Sequence, residues 1–110
     1  MKRKSIGELE ELVLLTVGLL SNDAYGLAIQ KELKDRCHRN VTISTVHAVI
    51  TRLKDKGYLK SHYDGATPER GGRRKHLFEL TPIGKTVISE SREMRNNMFD
   101  AIGKLVLSRG

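Results

Sequence analysis

Residues 58–84 read YLKSHYDGATPERGGRRKHLFELTPIG and predict two strands around a basic loop. Between Tyr58 and Asp64, every second residue is charged or ionisable, as on a half-buried strand. Residues 65–75 contain three glycines, one proline and four cations, which is a composition typical of a loop. A second short strand is expected from His76 to Leu80. The stretch therefore predicts a β-hairpin whose connecting loop is longer than a tight turn requires.

A long helix is predicted directly after the hairpin. Thr81 suits the N-cap, and Pro82 suits the first helical position, where its missing amide costs nothing. The helical pattern continues to about Leu107, with Gly84 and Gly103 as weak points. Along this helix, steps of four and three residues define a heptad-like seam, which is apolar except for one serine. The seam consists of Val87, Ser91, Met94, Met98, Ala101 and Leu105.

Such a helix extends beyond a core made by the first eighty residues, so we expect it to pack against a second copy of the chain. The alternative is that it folds back on its own core. The first helix, predicted at residues 7–20, is also more apolar than one stripe requires, which favours a partner. The predicted dimer interface comprises Leu9, Leu12, Val13, Val87, Met94, Met98, Phe99, Ile102 and Leu105.

Two further helices are predicted between the first helix and the hairpin. The segment Ser5-Ile6-Gly7-Glu8 has capping-box spacing and begins the first helix. The second helix ends at about Arg36. The third is capped by Thr42 and ended by Gly57, which suits a positive φ. The expected fold is mainly α with a small β-hairpin: a winged helix-turn-helix over residues 1–80 and a C-terminal dimerisation helix over residues 81–110.

The positive charge lies in the middle of the chain. The net charge is +7 and the pI is about 9.8. Residues 24–60 hold eight basic and three acidic side chains, a net of +5. In residues 61–80, all four cations fall between Arg70 and Lys75. Such a localised positive field suits contact with phosphates, although a solvated charged face is the alternative interpretation.

The third helix carries the chemistry for base contacts. In a helix-turn-helix, the second helix of the pair enters the major groove of DNA. Here its outward positions hold hydroxyls, a histidine and an arginine, and arginines on a Gly-rich wing suit the backbone or a narrow minor groove. The predicted DNA-binding residues are Tyr25, Ser44, Thr45, His47, Thr51, Arg52, Arg70, Arg73, Arg74 and Lys75. For His47, a solvated or partly packed ring is the alternative.

The chain resembles the PadR family of winged-helix transcriptional regulators. The residues that carry the resemblance are GELEELVLL at 7–15, AYG at 24–26, RL at 52–53, KGYL at 56–59, PERGGRRK at 68–75 and FELTPIG at 78–84. The resemblance implies a homodimeric repressor that binds a palindromic operator through its third helix and wing. It also implies dimerisation through the first and last helices, as in the short branch of the family with a single C-terminal helix.

Two features depart from the family pattern. The family often has Tyr-Pro where this chain has His47-Ala48, so base preference is not carried over to these positions. The last helix lacks Trp, which gives no support to a drug-stacking pore between subunits. Because the family includes repressors relieved by phenolic acids or by multidrug compounds, a small aromatic or drug-like effector is left open.

Other functions are less well supported by the sequence. The chain has no nucleophile–base set and no phosphate-binding loop that opens a helix, so we expect neither an enzyme nor a cofactor. Cys37 lacks a cysteine partner, and no metal-binding spacing is present. The apolar run at residues 12–20 is too short to span a membrane, and we expect a cytoplasmic protein. A winged-helix module that binds proteins but not DNA is the main alternative; binding to anionic membranes is disfavoured because the cations concentrate on a loop.

Overall fold

The computed structural model describes residues 6–64 and 75–103. Three helices come first: α1 (Glu8–Leu20), α2 (Gly26–Cys37) and α3 (Ile43–Asp55), with a 3₁₀ turn at Ser21–Asp23. The strands β1 (Leu59–Tyr63) and β2 (His76–Leu80) follow, and α4 (Pro82–Gly103) is the last helix. This order matches the predicted winged helix with a long C-terminal helix. The described part of the chain contains no helix that is long and apolar enough to cross a membrane.

The hairpin is antiparallel, with Leu59 opposite Leu80 and Tyr63 opposite His76. A third segment extends it. Tyr25 forms a bridge with Leu77, and the Phe78 amide donates to the carbonyl of Ala24 at 2.8 Å. The residues just before α2 therefore lie along the free edge of β2. This contact places the start of α2 beside the base of the wing.

The core lies between the three first helices and one face of the hairpin. α3 contributes a stripe with helical spacing (Val46, Val49, Ile50 and Leu53), which packs with residues of α1, α2 and β2. Tyr58 is almost fully buried at the turn between α3 and β1. Burying these side chains supplies the main favourable free energy of folding.

Local sequence signals set three of the helix ends. The Thr42 hydroxyl accepts the amide of Thr45 at 3.1 Å, and the Thr81 hydroxyl accepts the amide of Gly84 at 3.0 Å. Gly57 has a φ of 81°, as expected for a residue that ends a helix in the left-handed region. These three predictions are confirmed.

The start of α1 requires a correction. The predicted cap used Ser5 and Glu8, but the N-cap is Gly7, and its amide donates to Oε1 of Glu10 at 2.8 Å. Glu10 is the third residue of the helix, from which a side chain reaches back to the cap. The helix begins one residue later than predicted, and Ser5 lies outside the described residues. β1 is also shorter than predicted, by one residue at each end.

Among the described residues, α4 buries apolar side chains against the rest of the chain only in its first turns. Val87 is buried and Ile88 is half-buried, whereas every residue from Arg92 to Ile102 is exposed. The beginning of α4 therefore packs on the chain's own core, which was the alternative to packing against a second copy of the chain. The division of the chain at residue 80 and the predicted end of α4 near Leu107 stay predictions, since residues 104–110 lie outside the described part.

Candidate nucleic-acid interface

The outward face of α3 is polar and lacks bulky side chains. Ser44, Ala48, Thr51 and Asp55 lie opposite the buried stripe, at spacings of four, three and four residues, and all four are exposed. The side chains of Ser44, Ala48 and Thr51 are small, so a DNA duplex could approach this face of α3 closely. Asp55 gives the last turn of this face a negative charge.

Two predicted contact residues use their hydroxyls within α3. The Thr51 hydroxyl donates to the carbonyl of His47 at 2.9 Å, and Thr45 accepts from the Thr42 hydroxyl at 3.0 Å. Each hydroxyl keeps a lone pair, and Thr45 also keeps its proton, for a further partner. Both residues are exposed. Their predicted roles in binding DNA stay predictions.

His47 packs against the start of α2. A Cβ built on Gly26 would lie 2.9 Å from Cε1 and 3.0 Å from Nε2 of the imidazole. Only a residue without a side chain leaves this space for the ring. His47 is nevertheless exposed to solvent. The ring is therefore held beside α2 while remaining accessible, which combines the packed and the solvated interpretations of this residue.

Tyr25 and Lys75 meet at the base of the wing. The Lys75 Nζ lies 4.6 Å from the centroid of the Tyr25 ring, within the range of a cation–π contact. Tyr25 is half-buried directly before α2, and Lys75 precedes β2. The first residues of α2 and the end of the wing loop are thus brought together. Arg70, Arg73 and Arg74 lie outside the described residues.

His76, the first residue of β2, was not selected from the sequence as a DNA-binding residue. Its ring stacks on Tyr63 at 4.4 Å and contacts the Phe78 ring at 4.6 Å, measured between centroids. Burial lowers the pKa of His76, and repulsion by Lys54, His47 and His62 lowers it further. This repulsion indicates that Lys54 and His47 of α3 lie near His76, in one cluster with His62 of β1. Lys54, also missed, belongs to it.

Arg52 lies on the other flank of α3, towards α1. Its Nε is 3.8 Å from Oε2 of Glu10, and its side chain is 57% exposed. Lys56 binds the same carboxylate at 2.9 Å. Glu10 was not singled out in the sequence, because its partners follow it by more than forty residues. The predicted contact of Arg52 with DNA stays a prediction, and the structure adds Glu10 as a partner within the chain.

The predicted dimer residues that the structure describes divide into three groups. Val13 and Val87 are buried in the chain's own core, with exposures of 0% and 7%, and their assignment to a dimer interface stays a prediction. Leu9 and Leu12 are half-buried against the same core. The exposed residues of α4 form what we call the α4 apolar face: Met94, Met98, Phe99 and Ile102. Leu105 lies outside the described residues.

α1 adds two exposed leucines that the prediction omitted. Leu15 and Leu19 are 48% and 53% exposed and follow Glu11 at intervals of four residues on one side of the helix. Glu11 itself accepts hydrogen bonds from Ser91 at 2.9 Å and from Arg95 at 3.1 Å. The side of α1 that faces α4 therefore also carries exposed apolar surface. Ser91 of the predicted seam is used within the chain.

Comparison with known proteins identifies the family. The profile of the PadR-like family of transcriptional regulators matches residues 14–90, more than half of the chain. The chain belongs to the PadR-like family. It is therefore a transcriptional regulator and not an enzyme, as the sequence predicted. No curated protein matches the chain.

Solved PadR structures have the same fold. A PadR family regulator from Clostridium difficile R20291 is 22% identical with a TM-score of 0.74, and the match covers 91% of this chain and 99% of that one. For a PadR family regulator from Eggerthella lenta DSM 2243, the identity is 26%, the TM-score 0.65 and the coverage 90% and 86%. Bacillus subtilis PadR, solved with operator DNA, is 19% identical with a TM-score of 0.59 over 74% of this chain and 46% of that one.

Within residues 6–64 and 75–103, no three histidine, cysteine or acidic side chains group together. Cys37 is a free, half-buried cysteine at the end of α2. His38 follows it in the left-handed conformation, and its amide closes the helix.

Proposed function

We propose that this PadR-like protein is a sequence-specific DNA-binding repressor that acts as a homodimer. The observation that carries the proposal is the outward face of α3, on which small polar side chains lie beside the basic base of the wing. A positively charged rim around small polar groups suits a duplex, because phosphates supply affinity while base edges supply specificity. The likeness in fold to a PadR protein solved with operator DNA supports the same conclusion.

In this proposal, α3 enters the major groove with its first three turns. Ser44, Thr45 and Thr51 hydrogen-bond to base edges or phosphates, and the methyl group of Ala48 suits a thymine methyl. His47, on the flank of α3 next to α2, contacts one further base pair. Lys75, Tyr25 and the wing residues Arg70, Arg73 and Arg74 contact the backbone or the minor groove.

Dimerisation would occur through the α4 apolar face together with Leu15 and Leu19. Four large side chains that are each more than half exposed on one helix are unusual for a monomer. A twofold dimer places two copies of α3 about 34 Å apart, one turn of DNA, and therefore predicts a palindromic site. Binding at a promoter then represses by occlusion.

An effector would meet the protein at the same face. Met94 and Met98, together with Glu90, Glu93 and Asn97, line a shallow, open groove along α4. Methionine side chains adapt to ligands of different shapes, and a partner's α4 would cover this groove. We place a small aromatic or drug-like effector there.

A titration of labelled duplexes tests DNA binding. One duplex carries the DNA upstream of the protein's own gene, and a second has the same composition in random order. We expect tighter binding and a symmetric footprint on the first. R73A/R74A should weaken binding to both and flatten the salt dependence, whereas H47A should reduce the preference for the first. K31A, on the exposed side of α2, is the control. Equal affinity for both duplexes without a footprint would favour a protein-binding module.

A further inference from the structure

Glu10 is a nearly buried carboxylate with partners from two other segments. It is 7% exposed. Oε1 accepts the amide of Gly7 at 2.8 Å, and both oxygens accept Nζ of Lys56 at 2.9 Å. Nε of Arg52 lies 3.8 Å from Oε2. Two cations at the end of α3 thus converge on one acid from the start of α1.

The carboxylate stays ionised at neutral pH. Burial raises the pKa of Glu10, but the hydrogen bonds from Gly7 and Lys56 and the attraction of Lys56 and Arg52 outweigh burial, so the pKa lies below its ordinary value. Glu10 therefore keeps its negative charge at the neutral pH at which the protein would bind DNA. Because the Lys56 side chain is only 19% exposed, little solvent screens its attraction to Glu10.

The position of the cluster relative to the DNA-facing surface matters. Arg52 lies on the flank of α3 that faces α1, whereas His47 lies on the opposite flank, next to α2 and the wing. Asp55 places a second acid on the outward face of the same last turn. The C-terminal end of α3 thus combines cations with acids, whereas the predicted phosphate contacts lie at the wing.

We propose that Glu10 is a positioning residue that keeps Arg52 and Lys56 of the recognition helix out of sequence-independent binding to DNA phosphates. This inference rests on the proposed DNA-binding function. A cation that is already neutralised within the protein gains less from a phosphate and releases fewer counterions. Affinity for DNA of any sequence would then depend mainly on the wing, and α3 would contribute mainly to sequence preference.

The test uses the full-length chain and a random-sequence duplex, so that only phosphate binding is measured. E10Q keeps the size of the side chain and removes its charge. We expect binding at low salt to tighten about threefold to tenfold, and the slope of log affinity against log salt to steepen by about 1, the value for one additional phosphate. A purely structural role would not steepen this slope.

The matched control is E8Q. Glu8 lies two residues earlier on the same helix, is exposed, and pairs with Arg39 at 2.6 Å. E8Q changes the net charge equally and leaves the cluster at α3 intact. Equal slopes for E10Q and E8Q would overturn the proposal, because net charge alone would then explain the change.

R52A in the otherwise unchanged chain is a second test that retains the hydrogen bonds of Glu10 with Lys56. We expect the slope of R52A to equal that of the wild type, and we expect the double variant E10Q/R52A to steepen the slope less than E10Q alone. A slope that falls by about 1 in R52A alone would show that Arg52 already contacts a phosphate, against the proposal. If the wild type binds neither random nor upstream duplex, the proposed function fails and this inference fails with it.

Discussion

Lys56 and Glu10 lie 46 residues apart in the sequence, yet Nζ of Lys56 donates hydrogen bonds of 2.9 Å to both carboxylate oxygens of Glu10. The pair fixes the start of α1 against the end of α3. Each charge also suits its own helix, since an acid is favourable in the first turn and a cation at the C-terminal end. The contact therefore stabilises two helix ends and the angle between the helices.

Replacing Lys56 by Met should destabilise the fold. The carboxylate of Glu10 would remain largely buried, and within the described part of the chain its partners would be the Gly7 amide and the more distant Arg52. Breaking a partly buried pair in this way leaves a charge poorly compensated, and we expect a loss of about 2 kcal/mol in the free energy of unfolding. Urea denaturation followed by circular dichroism measures it.

Two variants control this experiment. D35N breaks the exposed i,i+4 pair between Asp35 and Lys31 and should cost far less than K56M, because solvent screens this pair. E10Q/K56M removes both charges and should cost less than the sum of the single changes. A K56M loss no larger than that of D35N would mean that the pair contributes nothing beyond a surface salt bridge.

Local signals in the sequence predicted the fold, whereas contacts between distant segments were not predicted. As helix caps, Thr42 and Thr81 bond neighbours within three residues, and Gly57 ends α3 through its own φ, so these roles can be inferred from spacing. Glu10 meets Lys56 only after three helices have packed, and no local pattern indicates that pairing. For the same reason, helical periodicity alone did not separate Val13, which is buried in its own core, from Leu15, which is exposed.

At the candidate site, too, local patterns predicted some residues, whereas contacts between distant segments were not predicted. The polar positions of α3 follow from periodicity, because the apolar stripe fixes the opposite face. His76 and Lys54 were missed because their proximity depends on how the hairpin packs beside α3. The space that Gly26 leaves for His47 likewise depends on the angle between α2 and α3.

Replacing Gly84 by Ala should be strongly destabilising. A Cβ at this position would lie 2.2 Å from the carbonyl oxygen of Tyr58, and neither backbone segment moves easily. The oxygen also accepts the amide of Thr81 at 3.1 Å. We expect a loss of about 3 kcal/mol, since the gain of about 1 kcal/mol in helix propensity does not offset the clash. Thermal unfolding provides the measurement.

G18A is the matched control for this substitution. Gly18 is also a helical glycine, but its added Cβ would meet only the flexible end of Leu80 at 3.0 Å. A small shift of that methyl group relieves the contact, so stability should change by less than about 1 kcal/mol in either direction. Equal losses in G84A and G18A would contradict the proposed role of the Tyr58 carbonyl.

His76 should make the fold less stable at mildly acidic pH. Burial and the neighbouring Lys54, His47 and His62 lower the pKa of His76 below its ordinary value of 6.5. The folded state therefore binds fewer protons than the unfolded state, and stability falls as the pH decreases through 6.5 towards the folded pKa. H76F, which retains an aromatic ring between Tyr63 and Phe78, should have a flatter dependence of the melting temperature between pH 7.5 and about 5.5. A dependence identical to that of the wild type would rule out His76 as its source.

The α4 apolar face should control the oligomeric state. F99E and M98E place a charge on side chains that are 59% and 66% exposed within one chain, so the fold of the protomer should tolerate them. In a dimer that buries this face, the same charge would lie unpaired in an apolar contact, and the dimer should dissociate. Light scattering after size-exclusion chromatography measures the mass. L27E, which introduces the same charge at a 63% exposed leucine of α2, should remain dimeric. Dissociation in L27E but not in F99E would move the interface to α2, and a monomeric wild type would contradict the dimer proposal.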